Sequence, residues 1–103
     1  MAGRAQIDIP KNRIAEFCRR HHIRRLSLFG SVLRDDFGPD GDVDVLVEFE
    51  AGMSPGLMGL AGMELELSQI LGGRKVDMNT PGCLGRHLRN RVSKEAELQY
   101  VEP

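Results

Sequence analysis

The sequence predicts an α/β (α+β) protein, with a small mixed β-sheet flanked by helices, in a single domain over residues 1–103 whose core runs from about 10 to 101. Three observations predict it. Segments with apolar residues at helical spacing alternate with short segments of period two. Clusters of glycine, proline and aspartate separate them around 37–41, 72–73 and 80–82. The 103 residues, 41% hydrophobic and 28% charged, suit one small core and leave no room for a second.

The elements follow in order. Residues 1–8 read as a loose start. Pro10 suits a first helical turn, where its missing N–H is not needed. Ile14, Phe17 and Cys18 then share a face, with His21 a turn further on, so a helix is expected to about His22. Residues 24–29 alternate around Leu26 and Leu28 and predict a strand. Gly30-Ser31 comes next, and 32–36 is expected as a short helix with Ser31 at its N-cap. After the turn at 37–41, residues 42–49 form the clearest strand, its valines alternating with Asp42 and Asp44. Leu57, Leu60, Glu64, Leu67 and Leu71 keep a helical period, so 56–71 predicts an amphipathic helix ended by Gly72-Gly73. Residues 74–79 predict a third strand with Val76 and Met78 on one face. Leu84, Leu88, Val92 and Ala96 place a last helix over 84–96, and 98–101 is either a short strand or a docking tail.

Composition narrows the function. The formal net charge of −1 provides no global basic field for long nucleic acid. Cys18 and Cys83 show no CxxC pair or regular spacing and read as reduced thiols. No apolar run is long enough for a signal peptide or a membrane span, so a cytoplasmic protein is expected.

The chemistry concentrates at Gly30-Ser31 and, after ten further residues, Asp42-Val43-Asp44. A strand puts residues two apart on one face, so Asp42 and Asp44 project together while Val43, Val45 and Val47 face the core. Two neighbouring carboxylates repel, and a divalent cation removes the conflict; Mg²⁺ takes hard oxygen ligands. Asp77 alternates with Val76 and Met78 and reaches the same metal centre, as a third metal ligand, if its strand lies beside the second. At the strand-to-helix turn, Gly30 lets a phosphate approach the backbone, the helix N-terminus favours an anion, and the Ser31 hydroxyl can donate.

The segment LFGSVLRDDFGPDGDVDVLVEF resembles the GSx₁₀DxD signature of the nucleotidyltransferase superfamily typified by polymerase β-like enzymes. The downstream helix, the KVDMNT strand and the short chain are similar to its minimal prokaryotic branch, whose members are commonly antitoxins paired with HEPN-domain ribonuclease toxins. The resemblance covers about Ile23 to Tyr100 and implies the nucleotidyltransferase fold. It also implies roles: Gly30 and Ser31 hold the triphosphate, Asp42 and Asp44 bind two Mg²⁺ ions, and Asp77, the third carboxylate, helps to activate the attacking hydroxyl. The implied reaction is AMP transfer from ATP to a tyrosine hydroxyl of the HEPN toxin. The large extra domains of polymerases and tRNA-modifying members are missing, so the acceptor is expected on a partner surface, in a homo- or hetero-oligomer. The competing function is a non-catalytic module that neutralises the toxin by covering it. A third is a transferase acting on a small molecule or a nucleic-acid end.

Other features have ordinary readings. Arg34 either touches phosphate or pairs with Asp35 or Asp36. The run Arg19, Arg20, His21, His22, Arg24 and Arg25 reads as a solvated helix end, and Arg86, His87, Arg89, Arg91 and Lys94 as a solvated helix face. Cys83 and His87 lack further zinc ligands. Met53, Met58 and Met63 read as core or partner-facing filler.

Overall fold

A computed structural model describes residues 9–30, 41–53, 55–81, 90, 92 and 94–102. The elements are α1 (Lys11–Arg20), β1 (Ile23–Phe29), β2 (Val43–Phe49), α2 (Leu57–Ile70), β3 (Val76–Asn79) and β4 (Glu97–Val101). Ser31, the short helix at 32–36, Arg34, Cys83, His87 and most of the helix expected at 84–96 lie outside the described residues. Of that last helix, Asn90, Val92, Lys94 and Glu95 are helical, and the Ala96 N–H closes its final turn on the Val92 carbonyl at 2.8 Å.

The sheet is mixed, in the order β3-β2-β1-β4. β1 pairs antiparallel with β2 and with β4, whereas β2 and β3 run parallel. A parallel pair cannot be joined by a tight hairpin, and α2 supplies the crossover between β2 and β3. The segment at 98–101 is thus a strand, and it starts one residue earlier, at Glu97. A register shift opposite Leu26 and Ser27 breaks its alternation.

Both helices cover one face of the sheet. Ile14, Phe17 and Cys18 of α1 and Met63, Leu67 and Ile70 of α2 meet Leu26, Leu28, Val43, Val45, Val47, Val76 and Met78 in one buried cluster. Strand alternation aims these residues at the helices. The Glu64 position in the apolar stripe of α2 is half-buried. The methionines divide: Met63 is core, while Met58 is 91% exposed and Met53 is also exposed.

Local chemistry sets the ends. Pro10 is the N-cap residue rather than part of the first turn, and its carbonyl accepts the Ile14 N–H at 3.0 Å. α1 stops at Arg20, two residues before His22, because His22 takes a left-handed φ of +58° that a helix cannot continue. After α2, Gly72 and Gly73 have φ of +84° and +88°, and the Gly73 N–H donates back to the Ser68 carbonyl at 2.8 Å. Arg20, the last residue of α1, and His21, its C-cap, both hold Glu66 of α2, the His21 Nε2 to Oε1 distance being 3.0 Å.

Candidate active site

The strand register assembles the acidic residues. Asp44, the second residue of β2, stands opposite Phe29 of β1 on one side and beside Asp77 of β3 on the other. Neighbouring strands lie about 4.8 Å apart, so the Asp44 and Asp77 side chains rise from adjacent positions on the same face. Asp42 comes one residue before β2 begins. Asp42 and Asp77 are exposed and Asp44 is half-buried.

The electrostatics agree with that crowding. Burial raises the Asp44 carboxyl above the ordinary aspartate range, and the charges of Asp77 and then Asp42 push it further up. Asp44 is therefore the centre of a small field of like charge that disfavours full ionisation. Among the described residues no group of three or more carboxylate, imidazole or thiol side chains is already gathered as a metal cage. Mg²⁺ does not need one: it commonly takes one or two protein carboxylates and completes its octahedron with water and substrate phosphate. The donor set here, hard oxygens that repel one another, fits that cation.

Gly30 closes on the same group. It follows Phe29 with a φ of +75°, and a Cβ built on it would lie 2.5 Å from Asp44 Oδ2. A side chain there would force the Asp44 carboxylate to move, and the left-handed backbone favours glycine independently. Gly30, at the end of β1, thus borders the carboxylate. Ser31, its expected companion, lies outside the described residues.

The far end of β2 is separate from this cluster. Arg24 and Arg25 both pair with Glu48, at 3.5 and 3.8 Å, and His22 lies 3.7 Å from Glu50. That part of the basic run is a paired surface. A hollow of about 430 Å³ bordered by Arg24, Glu48, Phe49 and Thr80 lies at the far end of β2. Glu48 is four residues from Asp44, roughly 13 Å along a strand, so the hollow is not the carboxylate site.

Sequence reasoning missed Glu64, whose Oε2 accepts the backbone N–H of Met78, next to Asp77, at 2.7 Å. The available signal was a carboxylate inside an apolar helical stripe. Cys18 has no part in the chemistry: it is fully buried, and burial pushes its thiol up to about 12.

Residues 11–99 match the model of the nucleotidyltransferase domain family. The chain is 35% identical over 86 residues to a Methanocaldococcus jannaschii protein assigned by inference as a protein adenylyltransferase, covering 84% of this chain and 89% of that one. It is 34% identical over 80 residues to the protein adenylyltransferase MntA of Thermococcus cleftensis, covering 78% of each. Among solved structures, one assigned as a minimal nucleotidyltransferase superposes with a TM-score of 0.69 at 36% identity, over 84% of this chain and 85% of that one. A toxin–antitoxin structure with AMP-PNP shares the fold, with a TM-score of 0.73 at 17% identity over 90% of this chain and 74% of that one. The toxin–antitoxin MntA–HepT also shares it, at 0.65 and 16% over 89% and 70%. The chain therefore belongs to the nucleotidyltransferase domain family, as an enzyme of its minimal branch.

Proposed function

We propose that this enzyme is the antitoxin of a toxin–antitoxin pair and that it transfers AMP from ATP to a tyrosine hydroxyl of a HEPN-type ribonuclease partner. The observation that carries the proposal is the in-register pairing of Asp44 with Asp77, beside a glycine whose missing side chain leaves room for the Asp44 carboxylate. The names of the relatives support the same reaction: one is a protein adenylyltransferase, and a fold neighbour is a toxin–antitoxin complex holding an ATP analogue.

In this mechanism Gly30 and Ser31 hold the triphosphate at the end of β1. Asp42 and Asp44, with Asp77 beside them, would hold two Mg²⁺ ions, which when bound would neutralise phosphate charge and polarise the α-phosphorus. Asp77 receives the tyrosine proton. The tyrosine oxygen forms a bond to the α-phosphorus, the bond from that phosphorus to the oxygen bridging to the β-phosphate breaks, and pyrophosphate leaves. The partner's surface presents the tyrosine. The compartment is the cytoplasm, where a ribonuclease meets RNA; no described helix is long and apolar enough to cross a membrane.

The test is intact-mass analysis of the partner after incubation with the enzyme and MgATP. The partner is expected to gain whole AMP units, and Asp42→Asn and Asp44→Asn are expected to stop the gain. Unchanged labelling by both variants overturns the site. Full neutralisation of the toxin by the double variant, with no mass change in the wild-type pair, overturns the catalytic mechanism in favour of a covering module.

A further inference from the structure

We propose that Glu64 is a positioning residue for the third carboxylate: from α2 it accepts the Met78 backbone N–H and so holds the edge strand β3 where Asp77 stands beside Asp44. The inference deepens the transferase reading and rests on it for the role of Asp77.

β3 is a short edge strand, a poorly supported place for a functional side chain. It has four residues, and among the described residues β2 pairs with one side of it only. Parallel ladders use alternate residues of a strand. The Val43 N–H donates to the Lys75 carbonyl at 2.8 Å, which turns the backbone groups of 75 and 77 toward β2 and those of 76 and 78 toward the open edge. An open edge leaves its N–H groups to water or to another chain and frays easily. Here the Met78 N–H meets the Glu64 carboxylate at 2.7 Å, a short hydrogen bond to a group that can carry charge. The bond sits one residue beyond Asp77 and ties the far side of β3 to a helix whose Met63 and Leu67 neighbours are anchored in the core. Asp77 is thereby held from both sides: its own strand pairs with β2, and the following peptide is fixed to α2. A half-buried carboxylate in an apolar helical stripe otherwise weakens a helix–sheet contact, and this bond accounts for its presence.

The experiment compares wild type, Glu64→Gln, which keeps an acceptor oxygen without charge, and Glu64→Leu, which removes the acceptor. Two readouts are taken on the whole chain: hydrogen exchange of the Met78 amide by NMR, with Val45 as the central-strand control, and Mn²⁺ affinity by paramagnetic broadening in the absence of nucleotide. In Glu64→Leu the Met78 amide is expected to exchange at least roughly tenfold faster relative to Val45, and Mn²⁺ to bind roughly tenfold more weakly, the scale of one lost charged hydrogen bond. Glu64→Gln is expected to restore most of both. Should Glu64→Leu not fold, Glu64→Ala gives the same comparison. An unchanged ratio of Met78 to Val45 exchange overturns the proposal. So does Mn²⁺ binding as weak in Glu64→Gln as in Glu64→Leu, which would mean that Glu64 is itself a cation ligand. Loss of AMP transfer in Asp44→Asn with no Met78 response in Glu64→Leu removes the positioning role and leaves the reaction standing. Both Glu64 responses in a protein that transfers no AMP would do the reverse.

Discussion

On the helix-covered side of β2, Val43, Val45 and Val47 are each 0% exposed. On the other side, one residue away, Asp44 sits half-buried beside Asp77 and against a glycine. The first surface gains free energy from every contact it makes, through apolar burial. The second gathers like charges that raise the Asp44 carboxyl and offer the empty fold nothing in return. Stability alone gives no reason for that arrangement; the proposed function does, because there it is the face that binds a cation.

The contrast breaks if the two faces respond alike to substitution. Phe17 is fully buried at the centre of the helix side, and Phe17→Ala is expected to cost about 3–5 kcal/mol, read from the urea midpoint. Asp44→Asn is expected to leave the midpoint unchanged or to raise it, because it relieves repulsion. It should lower AMP transfer by roughly 10²–10³-fold, the scale on which loss of one charge-stabilising group acts. Mg²⁺ should raise the melting temperature of the wild type and not that of Asp44→Asn. A stability loss in Asp44→Asn as large as that in Phe17→Ala would mean that the carboxylate is structural.

The faces also differed in how legible they were. Helical spacing identified Ile14, Phe17 and Cys18 as a buried stripe, and alternation identified the valines of β2, because both patterns are fixed by local geometry. Alternation likewise placed Asp77 away from the core. It could not place Asp77 next to Asp44, since period two fixes a face and not a neighbour; that needed the β2–β3 register. The last strand stayed ambiguous because the bulge opposite Leu26 and Ser27 destroys its alternation. Glu64 was counted with the apolar positions of its helix, since its partner is a backbone N–H, which no side-chain pattern displays.

Gly30 lies where the turn after β1 meets the carboxylate face, and it separates two causes of damage. An alanine there meets a left-handed backbone, costing roughly 1–2 kcal/mol. It also drives a methyl into Asp44 Oδ2. Gly30→Ala is expected to lose both stability and transfer. In an Asp44→Gly background only the backbone penalty remains, so the stability cost should shrink, and a double-mutant cycle measures the difference. Equal costs in both backgrounds would mean that the carboxylate and the turn do not compete for space.

The smallest expected effect lies on the outer surface of the helix layer, where acid tests whether the two layers come apart separately. Burial works to raise the Glu66 carboxyl, but hydrogen bonds from His21 and Arg20, with their charges, outweigh it and hold the group below its ordinary value of 4.5. A carboxylate with a depressed folded pKa stabilises the protein above its unfolded pKa, and that contribution disappears as the pH falls through the folded value. Wild type should therefore lose more stability than Glu66→Gln between about pH 5 and pH 3, read as the difference in their melting temperatures. Glu66 is a third exposed and part of its pairing is screened by water, so the difference should be small. Because Glu66 ties Arg20 and His21, at the end of α1, to α2, acid should speed amide exchange in α1 before it does so in β2. Earlier loosening of β2 would trace acid sensitivity to the carboxylate face, and the helix layer would not be an independent unit.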